Sequence, residues 1–289
     1  MLNILNKIDF KERNFKLRIK KIVNKDIRNE LNKNKEFRSK YKNKRCFILG
    51  NGPSLKKQNL SILKDEYVFT VNQLNKSNVF YDVNSNFHVI IDHDFFEIDI
   101  NKNEDSERIQ TMKDLINFNI PIFVPYAEKN VLIKNGLYKE NIRFIFTGGE
   151  IISDKKQFNI TGFLPGAYTV VQEAIYIAID MGFTEIYLLG CDCTGIFQQL
   201  SVEDDNEFNK YGHVYQYSKN EKEHIKKNIK KYSNNAWLNV HAKIFDIYNK
   251  LEKISLENDF KIYNSTLGGI LDIFERKSIE EVLKKKSRC

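Results

Sequence analysis

Cysteine is scarce in this 289-residue sequence: Cys46, Cys191, Cys193 and Cys289 form no C-x-x-C pair, and four are too few for a disulfide scaffold. Long apolar runs are missing as well, none approaching the ~18 residues that a membrane-spanning helix needs. The first residues, MLNILNKIDFKERNF, lack the apolar stretch and small-residue cleavage site of a signal peptide. Transmembrane, secreted and collagenous classes are thereby excluded, and the expectation is a soluble intracellular globular protein. What is present suffices for a core: 42% of the residues are apolar. At roughly 100–200 residues per domain, the length allows one large domain or two small ones.

The formal charge of +8 is unevenly spread. Residues 1–45 carry 16 Lys and Arg against 5 Asp and Glu, residues 277–289 carry 5 against 2, and 46–276 carry 25 against 31. The body is acidic and the basicity is terminal. Nucleic-acid enzymes carry a basic stripe along the binding face, so no nucleic-acid partner is expected. Residues 1–44 read as a basic amphipathic helical appendage, with Leu2, Ile4, Leu5, Ile8, Phe10, Phe15, Leu17 and Ile19 at helical spacings and no Gly or Pro. Such a helix packs on the body or lies on an anionic membrane surface, where each Lys or Arg contributes about 1 kcal/mol. Residues 277–289 read as a basic C-terminal helix.

From residue 45 the pattern alternates between strands and helices. Cys46–Leu49, Tyr67–Val71, His88–Ile91, Pro121–Pro125, Ile142–Phe146, Glu185–Gly190 and Lys261–Asn264 are apolar runs of strand length. Tyr168–Met181 is a helix apolar on nearly every face, stopped at Gly182 and therefore central. Ala236–Leu256 and Ser278–Lys286 read as further helices. The fold class is α/β, a mostly parallel sheet covered by helices on both faces, over residues 45–276. The polar stretch 194–235, with Tyr211, Tyr215, Tyr217 and Tyr232, interrupts the alternation and reads as a lid or small helical insertion.

The most informative segment is ILGNGPSL, Ile48–Leu55. Gly50 and Gly52 flank Asn51 at the end of the first strand, where they permit a tight turn and close backbone approach to a ligand. Ser54 is placed to cap the next helix, whose N-terminus favours an anion. The segment is neither G-x-G-x-x-G nor a Walker loop, and a plain strand–turn–helix corner would look the same. Asn72, Asp92 and Asp192 end three further strands, and ligands of open α/β sheets bind outside the carboxyl ends of strands. Asp92-His93-Asp94 spells D-x-D, a carboxylate pair able to hold a divalent cation near a diphosphate.

Ile48–Leu55, VNQ at Val71–Gln73 and MGFTEIYLLGCD at Met181–Asp192 resemble the bacterial sialyltransferases of glycosyltransferase family 42, with their GNGPSL, CNQ and G-Y-K-E-I-Y-L-x-G-x-D blocks. The same segments resemble the wider group related to 6-hydroxymethylpterin pyrophosphokinase, which includes flagellin-modifying motility accessory proteins. YNSTLGG at Tyr263–Gly269 is closer to that group. The matches reach across about 46–275 and leave 1–44 outside. The resemblance implies a Rossmann-like, single-domain GT-A-like fold. It implies nucleotide contacts from Gly50, Asn51, Gly52, Ser54, Asn72, Asp92, Gly190, Asp192 and Thr194. In the sialyltransferases a histidine deprotonates the acceptor about twenty residues before the last core strand; here His241, 21 residues before Ile262, resembles it. His213 and His224 fall in the lid, as acceptor-binding candidates.

Three departures bear on the donor. Thr194 stands where those enzymes have a phosphate-holding Tyr, leaving Tyr211, Tyr215 or Tyr217 as substitutes. Asp92 replaces an Asn, and Pro165–Thr169 replaces a T-S-G. The expected function is sugar transfer from a CMP-nonulosonate donor to a cell-surface glycan, lipooligosaccharide or capsule. His241 would be the base, no metal would be required, and an anionic membrane surface and an oligomer are further expected partners. The protein would then be cytoplasmic, peripheral on the inner face of the membrane. The alternatives are a pyrophosphokinase-type phosphotransferase using Asp92 and Asp94 with Mg or Mn, and a non-catalytic nucleotide-binding accessory protein of envelope assembly.

Overall fold

The computed structural model describes residues 24–102, 105–148, 152, 154 and 157–284. Eight strands form one sheet: β1 Arg45–Leu49, β2 Tyr67–Val71, β3 Phe87–Val89, β4 Ile122–Pro125, β5 Ile142–Ile145, β6 Glu185–Leu189, β7 Lys261–Asn264 and β8 Glu275–Arg276. Their order is β5-β4-β3-β2-β1-β6-β7-β8, and every pairing is parallel. The mostly parallel α/β expectation therefore holds. The two-residue β8 is too short to show in a hydrophobic pattern. β1 pairs with β2 on one side, Ile48 opposite Phe69, and with β6 on the other, Ile48 opposite Leu188. The chain builds outward from β1 to β5 and then crosses to β6, so the strand order reverses between β1 and β6.

In chain order the α-helices are α1 Lys25–Asn32, α2 Asn78–Asp82, α3 Ser106–Asn117, α4 Lys129–Lys134, α5 Val170–Met181, α6 Gly195–Leu200, α7 Asp205–Lys210, α8 Lys219–Ile229, α9 Asn234–Leu256 and α10 Ile279–Lys284. Helix α5 is central, as its all-round apolar pattern predicts: every residue from Val171 to Met181 is buried. Thr169 caps it by accepting from Gln172 N, and Gly182 ends it in the left-handed region at φ 95°. Residues 194–235 hold α6, α7 and α8, and α8 opens with a Ser218/Glu221 capping box. Among the described residues no helix is long and apolar enough to cross a membrane.

The first 23 residues of the expected appendage lie outside the described residues, as does the end of the C-terminal helix beyond Lys284. From Asn24 onward the N-terminal segment packs on the body through a few buried side chains. Ile27 and Leu31 of α1 are buried, and the buried Asn34 amide donates to Phe144 O and Ile160 O. Phe37 packs edge-on against Phe87 and Phe123.

Candidate active site

A reversal of strand order in an open parallel sheet leaves a crevice outside the strand ends, and here two loops meet across it. Gly52 N donates to Gly190 O, and Gly50 N to Leu189 O. A Cβ on Gly52 would lie 1.8 Å from Asp192 Oδ2, and one on Gly50 would lie 2.5 Å from Gly190 O. The glycines are required by this close approach. Gly190 is required by its backbone as well, at φ 60° over the Leu55 side chain. Ser54 does not cap a following α-helix. It sits within a 3-10 turn, Pro53–Lys57, where its N–H and Oγ–H donate to the two oxygens of Asp192. Asp192 thus supplies from across the crevice the acceptor that a local cap would have supplied. Burial raises its carboxyl above the ordinary range, opposed by the Ser54 hydrogen bonds.

Asn51 is bound to the insertion, its carbonyl accepting from Val214 N at 2.7 Å. Its side-chain Oδ1 is buried with no protein partner, and such an acceptor costs free energy unless a ligand donor reaches it. Asn72 sits in the left-handed region at φ 46° and is held there on three sides. Its N–H donates to Val89 O, its carbonyl accepts from His88 Nε2, and its Oδ1 accepts from Ile91 N. His88 is fully buried, and burial pushes it down to about 3, so it stays neutral. Its Nδ1 then accepts from Thr70 Oγ1 at 2.7 Å. Sequence reading noted His88 only as opening a strand; its role needs the β2–β3 register, in which it faces Thr70.

Asp92 opens onto a cleft but is walled by protein on its other sides, which raises its carboxyl; Asp94 adds to the rise. The two carboxylates of the D-x-D pair make different contacts. Asp92 Oδ1 accepts from Asp94 N, closing the turn that follows, while Asp94 Oδ2 accepts from Asn228 Nδ2 of α8. Among the described residues no group of three or more His, Cys, Asp or Glu is arranged to hold a metal ion.

The cleft, of ≈ 1120 Å³, lies between the strand ends and the insertion. Gln73 and Asp92 line it from the sheet, and Gln199, Tyr215, Tyr217 and Trp237 from the insertion and α9. Tyr217 accepts from His213 N and Gln198 Nε2, whereas Tyr211 stacks on Phe197. Of the three tyrosines offered as substitutes, Tyr215 and Tyr217 are therefore the two at the cleft. His224 also lines it, 3.9 Å from Asp94.

Helix α9 carries His241, which does not itself line the cleft but neighbours two residues that do, Trp237 and Gln199. Its C-terminal half is anchored in the core by Ile244, Ile247, Tyr248 and Leu251, while its N-terminal half extends alongside α6. Trp237 is one turn before His241 on the same face. His241 Nε2 is 2.9 Å from Gln199 Oε1, and its buried Nδ1 has no partner. Burial alone lowers its affinity for a proton. Thr194 is the N-terminal flank of α6, and a methyl group built on the adjoining Gly195 would lie 3.9 Å from His241 Cε1. Gln73 stands in the VNQ segment, whereas Gln199 and Trp237 carry no spacing that singles them out. Only the packing of α6 on α9 brings Gln199 to His241.

The chain belongs to the MptE-like family: the family model described as 6-hydroxymethylpterin diphosphokinase MptE-like matches residues 18–195. A comparison with curated proteins finds no match. Among solved structures the chain is similar to the sialyltransferase CstII from Campylobacter jejuni. The complex with cytidine-5'-monophosphate is 21% identical, over 81% of this chain and 85% of that one, with a TM-score of 0.44. The complex with CMP-3FNeuAc is 20% identical over the same shares, at 0.44. A CST-II complex with trisaccharide acceptor and CMP is 19% identical over the same shares, at 0.45.

Proposed function

We propose that this protein transfers a sugar from a nucleotide donor, in specific form a CMP-linked sialic acid or related nonulosonate, to a cell-surface glycan such as lipooligosaccharide or capsule. The observation that carries the reading is His241, a half-buried imidazole with one ring nitrogen unpartnered and the other bonded to Gln199 in the wall of a cleft beside the parallel sheet. Sugar transfer needs such a group. The acceptor hydroxyl gives its proton to the imidazole while its oxygen bonds to the anomeric carbon. The bond from that carbon to the donor phosphate breaks, and the electron pair leaves with CMP. Lowered proton affinity keeps His241 neutral, hence able to accept, at neutral pH.

In this reading Asn51, Asn72 and Asp92 hold the nucleotide. Gly50, Gly52 and Gly190 let the backbone come close, and Thr194 borders the sugar. Ser54 and Asp192 brace the turn that presents Asn51. The basic N-terminal segment suits an acceptor that is lipid-linked at the inner face of the membrane. Family membership favours a second reading, phosphoryl transfer to a pterin-like alcohol. That chemistry would call on Asp92 and Asp94, whose carboxylates are committed to a turn and to α8.

Thermal shift separates the two. Stabilisation by CMP without added metal, lost in Asn51→Ala, is the expected result. Stabilisation only by ATP with Mg²⁺ would favour phosphoryl transfer. No response to any nucleotide would contradict both enzyme readings.

A further inference from the structure

Histidine bases are useful only when one ring nitrogen is kept free of its proton, and a neutral imidazole has two forms to choose from. Here the choice is built into the insertion. The Gln199 Oε1 oxygen stands 2.9 Å from His241 Nε2, and a carbonyl oxygen can only accept, so Nε2 carries the hydrogen. Nδ1 is then the bare nitrogen, buried and without a protein partner. Gly195 lies against the Cε1 edge of the ring, where an added methyl would be in contact at 3.9 Å without a clash. Burial alone accounts for the lowered proton affinity of His241, and no ionisable neighbour is among its causes. Selection between the two nitrogens therefore falls to the amide.

Resting on the sugar-transfer reading, we infer that Gln199 is a positioning residue that fixes His241 in its Nε2–H form, so that Nδ1 takes the acceptor proton. The O–H bond of the acceptor breaks and its proton goes to Nδ1. The Nε2–H stays on the ring, and the imidazolium later releases the Nδ1 proton to solvent. As charge develops on the ring, the Gln199 oxygen strengthens its bond to Nε2–H. Because α6 carries Gln199 and belongs to the insertion, the base is competent only when α6 lies against α9.

Histidine ¹⁵N NMR on the full chain tests the assignment without any substrate. In wild type, His241 should show a protonated Nε2 and an unprotonated Nδ1. Gln199→Leu should mix the two forms. Gln199→Glu, which places a carboxylate on Nε2–H, should raise the His241 pKa by about 1 unit or more. The same variants are then assayed for transfer: Gln199→Leu should lower kcat at least about tenfold with donor KM little changed. Gln199→Glu should recover part of that loss, with the acid limb of its pH profile moved upward. A protonated Nδ1 in wild type, or the same form in Gln199→Leu, would overturn the inference. If the NMR result holds while His241→Ala transfers sugar normally, the lock exists and the sugar-transfer reading is the part that fails.

Discussion

Glu173 lies in the first turn of α5, where the helix dipole favours a carboxylate, yet it is fully buried. Thr147 Oγ1 donates to its Oε2, and its Oε1 has no partner. Burial wins over the dipole and pushes the carboxyl up to about 8 from 4.5. The unfolded chain thus gives up this proton near 4.5 while the folded protein holds it to about 8. The associated stability is fully present below the lower value. It declines by on the order of 1 kcal/mol per pH unit through the window and is gone above the upper one. Glu173→Gln keeps the neutral hydrogen-bonding group and removes the titration. Urea unfolding should find the variant more stable than wild type above pH 8, with its stability flatter across the window. A wild-type profile that rises through the same window would contradict this. Residue by residue, the site was legible where chemistry stands at strand ends: Asn51, Asn72 and Asp192 were all visible as such. What those residues bind was not. Ser54 pairs with Asp192 across 138 positions of sequence, a pairing that only the β1–β6 register creates.

Among the elements, α8 depends on a latch at its first turn. Lys76 Nζ donates to Glu221 Oε2 of the capping box and to Glu107 Oε1 of α3, each at 2.7 Å. Both Lys76 and Glu221 are largely shielded from water, at 15% and 17% side-chain exposure, so the pair is worth more than a surface ion pair. Lys76→Met should free α8 by about 1 kcal/mol, roughly fivefold in local opening. Hydrogen exchange should quicken across Lys219–Ile229 and leave the strands unchanged. Equal protection of α8 in both proteins would mean that the insertion is held elsewhere. The strands and α5 could be read from sequence because each is a closed apolar run with its own stop. The helices of 194–235 could not, because they are short, polar and defined by what they cover. Residues 24–44 read only as part of a basic appendage for a related reason: the contacts of Asn34 and Phe37 are with β3, β4, β5 and Ile160, far along the chain.

For the molecule as a whole, the charge is divided between an acidic body and basic ends. Residues 1–23 hold 7 Lys and Arg against 2 Asp and Glu, and we propose that this stretch makes the contact with an anionic membrane. At about 1 kcal/mol per basic residue near an anionic surface, that excess is expected to give salt-sensitive binding. Full-length protein should sediment with anionic vesicles, and a chain lacking residues 1–23 should remain in solution with its fold intact. Vesicle binding that survives the truncation would place the membrane contact elsewhere. The central claim, however, is that a nucleotide sugar is consumed at the carboxyl end of this sheet with His241 as base. Its most direct test is donor consumption across CMP-, UDP- and GDP-sugars by wild type and His241→Ala. Wild type should consume a CMP-sugar, and the variant should do so about 10²–10⁴-fold more slowly while still binding CMP. Unchanged turnover in the variant, or no consumption of any CMP-sugar by wild type, would contradict it.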